Sequence, residues 1–115
     1  MRINVLLENG VFKYSVHPNP PLHRRFVHHF KTNDQITWVH QGQTVQVTFK
    51  NDICPFVHDD GSPWAGKTAT FPGRAAKLNP DFVRDRYYSP VKYSVTLPDA
   101  PGAPEDDPEV IIVDA

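Results

Sequence analysis

Proline decides first what this chain cannot be. Twelve prolines and six glycines are scattered through its 115 residues. A proline inside a helix costs about 3 kcal/mol, because it lacks an N–H donor and its ring strikes the preceding turn. The stretches between these residues place apolar side chains at alternate positions, the period of a strand with one buried face. The chain therefore reads as all-β. Its length suits a single domain over residues 1–115, and nothing divides the hydrophobic pattern into two sets.

Individual strands follow from that alternation. Residues 3–7 and 11–16 flank Asn9-Gly10, the strongest short hairpin signal, because a two-residue turn needs positive φ at both positions. Phe12, Tyr14 and Val16 share one face, and Pro18, Pro20 and Pro21 end the strand. Ile36, Trp38 and His40 form one side of 35–40, and Val45, Val47 and Phe49 alternate with Gln46, Thr48 and Lys50. Val91, Tyr93, Val95 and Leu97 face inward together, an acidic, proline-rich loop is expected over 98–108, and Val110 to Val113 reads as a central strand covered on both faces. Between 51 and 88 the pattern gives way to turn signals at Asp59-Asp60-Gly61-Ser62-Pro63, Pro72-Gly73 and Asn79-Pro80. A short strand within 67–71 and one helical turn over 80–86 are expected there. About seven short strands with this one long irregular excursion predict a two-sheet Greek-key sandwich.

Twelve Lys and Arg against thirteen Asp and Glu exclude a strong positive field, so no nucleic acid is expected as partner. Cys54 is the only cysteine, which rules out an internal disulfide and favours a reducing compartment. No apolar run approaches the ~20 residues of a membrane span. Residues 1–10 lack the charged start, apolar run and cleavage site of a signal peptide, so a soluble cytoplasmic protein is expected.

The order of these segments carries a resemblance. Tyr14-Ser15-Val16-His17-Pro18, then Gln35-Ile36-Thr37-Trp38, Gly42-Gln43-Thr44-Val45, the excursion with Ser62-Pro63-Trp64, Tyr93-Ser94-Val95 and a final Ile111-Ile112-Val113 resemble the cupredoxin fold. From about residue 11 onward the chain looks like a copper-free cupredoxin-like domain of a small bacterial type. Blue-copper members carry a Cys, a His and a Met on the loop between their last two strands, whereas residues 98–109 hold none of the three. The resemblance therefore implies the sandwich but transfers no copper ligand, and no cofactor is expected.

Four groups of residues bear on function. Cys54, His58 and His40, beside Asp59 and Asp60, offer thiolate, imidazole and carboxylate to copper or zinc, although structural zinc ordinarily uses two or more closely spaced cysteines. The basic run over 23–31, with His17 upstream, reads as a short edge strand or a turn of helix; its charge either deters sheet-to-sheet aggregation or forms a patch that gains charge below about pH 6.5 and attracts an acidic partner. Arg84-Asp85-Arg86-Tyr87-Tyr88 sets guanidinium groups beside phenols, a combination suited to anions and to interaction hot spots. The segment from Phe56 to Trp64 is either a docking patch or an aromatic plug over the end of the sandwich.

For catalysis, the sequence has no nucleophile elbow, phosphate loop or zinc-protease motif; what it offers is a Cys54 dyad with His58 or His40, or paired carboxylates among Asp59, Asp60, Asp81 and Asp85, which in such turns ordinarily cap the backbone. The expectation is a non-catalytic binding or structural module, with Arg84, Arg86, Tyr87, Trp64 and His58 as contacts. Its partner is a protein or a small acidic ligand. Weak head-to-tail self-association between the basic 23–31 and acidic 99–109 segments is a further expectation.

Overall fold

The computed structural model describes residues 2–16, 25–29, 35–50, 54–82, 91–100, 102 and 104–113. Ten strands lie among them: β1 (Arg2–Glu8), β2 (Val11–Val16), β3 (Arg25–His29), β4 (Gln35–Val39), β5 (Val45–Phe49), β6 (Phe56–His58), β7 (Thr68–Phe71), β8 (Ala76–Leu78), β9 (Val91–Thr96) and β10 (Glu109–Val113). They form two five-stranded sheets, ordered β2-β1-β4-β8-β6 and β3-β10-β9-β5-β7. Among the described residues the one helical element is a short 3₁₀ turn, Ala65–Lys67, and no helix is long and apolar enough to cross a membrane.

Local chemistry sets the connections. Asn9 and Gly10 both take positive φ, at 52° and 76°, and let β1 and β2 pair antiparallel from Ile3 opposite Val16 to Glu8 opposite Val11. Gln41 and Gly42 repeat the device at 48° and 75°, and the Gln43 N–H donates to the His40 carbonyl at 2.8 Å. Here the strands part after the turn, so β4 enters one sheet and β5 the other. A single tight turn thus joins the two layers.

The inner faces carry the predicted side chains. Ile3 and Val5 of β1, Phe12 and Tyr14 of β2, Ile36 and Trp38 of β4, Val45, Val47 and Phe49 of β5, and Tyr93 and Val95 of β9 are all buried. Trp38 lies at the centre. Its ring meets Tyr93 and Phe71 of the opposite sheet at centroid distances of 5.9 and 5.2 Å, and Phe56 and Trp64 at 6.0 and 6.4 Å.

Two expectations require revision. The excursion over 51–88 holds the short strand expected within 67–71, which is β7, but β6 and β8 lie within it too, and the count rises from about seven strands to ten among the described residues. β6 and β8 are each only three residues long, too short for alternation to stand out between the turns that flank them. The segment after β9 is likewise not wholly a loop. Val95 pairs with Asp106, the Tyr93 N–H donates to the Pro108 carbonyl at 3.1 Å, and Lys92 and Val91 pair with Glu109 and Val110, one unbroken antiparallel register. Pro108 has no N–H to return, and this interrupts the ladder without shifting it. Within the basic 23–31 run, β3 is an edge strand, and it runs parallel to β10 with Arg25 opposite Glu109.

A polar link fastens the layers. The Tyr14 hydroxyl of β2 donates to Oδ2 of Asp106 at 2.8 Å, across a separation of 92 residues, and Asp106 is only 7% exposed. Lys50 reinforces the same segment from outside by pairing with Asp107 and, at 3.5 Å, with Glu105. Those groups are well exposed, so they contribute less than the buried link. A hydrogen bond to a charged acceptor contributes about 1.5–3 kcal/mol. Tyr14→Phe should therefore lower the unfolding free energy by about that amount in urea denaturation, with an unchanged slope. A variant as stable as the parent would show that the link contributes nothing.

Candidate functional site

The corner between β6 and β7 holds the greatest concentration of the predicted contacts. β6 runs out through a tight turn in which the Gly61 N–H donates to the His58 carbonyl and the His58 N–H to the Ser62 carbonyl, both at 2.9 Å. Val57 then pairs with Pro63, so the returning chain covers the outer edge of β6 with a residue that lacks an N–H. Asp60 braces the turn. Its Oδ1 accepts from the Ser62 N–H at 2.9 Å and the Ser62 hydroxyl at 2.5 Å, and its Oδ2 from Arg74 at 3.0 Å. Together the Ser62 donors and the Arg74 guanidinium draw the Asp60 carboxyl down to about 2.

This turn delivers Trp64 into the core. Trp64 is 5% exposed, stacks on Phe56 at 6.0 Å and touches Phe49, Phe71 and Trp38. Of the two readings of the 56–64 segment, the structure has the plug: the Trp64 ring is not offered to solvent as a flat docking face. His58 packs on its outer side, with ring centroids 6.2 Å apart, and is half-buried. Trp64 Nε1 and His58 Nδ1 are both shielded from solvent, and neither has a hydrogen-bond partner. An indole N–H can only donate, and the imidazole Nδ1 donates in one tautomer.

The three residues of the metal alternative are not brought together. Ile36 and His58 both pair with Ala76, from opposite sides of β8. His40 lies four residues beyond Ile36, about 13 Å along the strand and two strand spacings across, or about 16 Å from His58. Cys54 lies four residues before His58 on an extended path, again about 13 Å away. Zinc ligands stand at about 2.0–2.3 Å from the ion. His40 is also engaged, 9% exposed and donating from Nδ1 to the Val5 carbonyl at 2.8 Å. Among the described residues no three His, Cys, Asp or Glu side chains gather into a possible metal site.

The same separations take Cys54 out of reach of either histidine as a catalytic base. Its thiol lies 3.4 Å from the Phe56 carbonyl, and burial pushes its pKa up, with the charge of Lys67 opposing the rise. A protonated thiol is a poor nucleophile. Arg84, Arg86 and Tyr87, and the greater part of the turn expected over 80–86, lie outside the described residues.

Sequence reasoning missed the Asp60–Arg74 clasp, the influence of Lys67 on Cys54 and the Tyr14–Asp106 link. Asp60-Gly61-Ser62 was a visible turn signal, but a partner fourteen residues away has no sequence signature. Comparisons with protein-family models, with curated proteins and with solved structures gave no match.

Two solution measurements check this geometry. With its pKa lowered from 3.8 to about 2, Asp60 favours the folded state above its unfolded value, and that contribution disappears as pH falls through about 2. Carboxyl-carbon NMR titration should find Asp60 ionised at pH 3, and Ser62→Ala should move its midpoint upward. An Asp60 that titrates near 3.8 in the parent would refute the clasp. Cys54 should react with iodoacetamide more slowly in the folded chain than in urea across pH 7–9. Equal rates would mean an open thiol.

Proposed function

We propose that this chain is a cupredoxin-like Greek-key sandwich without a blue-copper centre, acting as a non-catalytic binding module. Its partner is a protein or a small acidic ligand, received at the β6–β7 corner. The observation that supports this reading is the two shielded ring nitrogens, Trp64 Nε1 and His58 Nδ1, which have no partner and belong to rings whose centroids are 6.2 Å apart. A buried donor left unpaired costs about 1–3 kcal/mol. A carboxylate oxygen accepting from both would recover that cost on binding.

The scaffold supports the same reading. Trp64 is fixed by four other aromatic rings in addition to His58, and Asp60, Ser62 and Arg74 hold the turn that carries both residues. Donors held in place lose little freedom when a ligand arrives. Arg84, Arg86 and Tyr87 are proposed from the sequence to add charge and an aromatic surface for an acid. The family resemblance is consistent with a scaffold role, since residues 98–109 carry no Cys, His or Met.

The test is a titration of the labelled chain with simple carboxylates and with an acidic peptide, read at the assigned indole N–H resonances. The Trp64 N–H should move downfield on binding while that of Trp38 stays in place. Trp64→Phe keeps an aromatic plug but has no donor, and should weaken binding at least tenfold, the equivalent of about 1.4 kcal/mol. No shift at Trp64 with any acid would reject the proposal.

A further inference from the structure

A polar seam crosses the aromatic core where hydrocarbon contact is otherwise densest. Trp38 of β4 and Tyr93 of β9 face each other across the sheets at a centroid distance of 5.9 Å and an interplanar angle of 69°. Trp38 is 2% exposed and Tyr93 fully buried, yet Trp38 Nε1 and Tyr93 Oη each have no hydrogen-bond partner. Asp106 pairs with Val95, two residues along β9 from Tyr93 and on the same face, and is 7% exposed and already accepting from the Tyr14 hydroxyl at 2.8 Å. Burial pushes the Tyr93 phenol far up. The nearby indole N–H of Trp38 works against that rise, and the charge of Asp106 adds to it. Tyr93 therefore lies within electrostatic reach of both Trp38 and Asp106, although Trp38 and Tyr93 fall short of hydrogen-bond geometry.

The chemistry of the partners selects what can fill such a place. Trp38 offers only a donor, the un-ionised phenol of Tyr93 a donor and an acceptor, and Asp106 only acceptors when ionised. A cation would confront the indole N–H, and an anion would confront the carboxylate. A molecule that both donates and accepts satisfies all three, and buried waters typically make about three such bonds. We propose that a single water molecule is bound between Trp38, Tyr93 and Asp106, accepting from the indole and the phenol and donating to the carboxylate. With Tyr14 on the far side of Asp106, the result is one hydrogen-bonded chain from β4 through the water to β9 and the 104–108 segment, and back to β2. The two sheets are then joined by a polar path as well as by ring contacts.

Oxygen-17 relaxation dispersion on the full chain counts waters with long residence times and does not respond to exchange of hydroxyl protons. The parent should carry one more such water than Tyr93→Phe, and in that variant the Trp38 indole N–H resonance should move upfield. Asp106→Asn keeps an acceptor and should retain the water. If Tyr93→Phe does not fold, water-to-amide transfer at the Trp38 N–H of the parent still decides. A parent without a long-lived water, or an unchanged count in folded Tyr93→Phe, overturns the proposal.

Discussion

The contact between the Trp38 ring and the aromatic side chains of the opposite sheet is the interaction on which the rest of this structure depends. Trp38 meets Tyr93 and Phe71 across the sandwich and Phe56 within its own sheet. Edge-to-face pairs of this kind contribute about 0.5–1.5 kcal/mol each beyond the area they bury. Their larger effect is on the path of the chain. Phe56, Trp64 and Phe71 all belong to the segment between β5 and β8, and only a course that returns to Trp38 buries all three. The excursion folds into short strands because its aromatic residues have a place to go.

That arrangement also controls the sheet edges. β6 is the last strand of its sheet, and its outer side is closed by the chain returning at Ser62 and Pro63. β2, at the opposite edge, turns Lys13 outward. A lysine or a proline on an edge deters pairing with another sheet. The carboxyl-terminal strand is protected differently, since β10 lies between β3 and β9. Because Asp106 precedes it and is held by Tyr14, the polar link and the ladder position the same stretch of chain.

The parts legible in the sequence were those governed by period and by turn chemistry. Alternation at Val45, Val47 and Phe49 and at Ile36 and Trp38 placed the correct side chains inward, because a strand offers only two faces. Asn9-Gly10 announced its hairpin for an equally local reason. What escaped was non-local. Nothing about Asp106, acidic and set among prolines, signals burial until Tyr14 arrives from 92 residues away. The metal trio failed for the converse reason: Cys54, His58 and His40 are near in sequence, but extended chain carries neighbours apart at about 3.3 Å per residue. Trp64 was identified as a contact from residue type alone, and packing turned its ring inward and left only its N–H in question.

The two places with unpaired ring donors differ in access, and access decides which of them can serve a partner. At Trp38 and Tyr93 the donors are enclosed between the sheets beside a carboxylate, so an arriving acid would have to displace packed rings and approach a like charge. At Trp64 and His58 the donors sit at the end of a strand, on a turn where His58 is only partly buried, and the Asp60 carboxylate of the turn is occupied by Ser62 and Arg74. In the readings proposed above, the same deficit, a donor removed from water without a replacement, fastens the sheets in the first place and recognises an acid in the second. The physical difference between them is the depth at which the chain left each nitrogen.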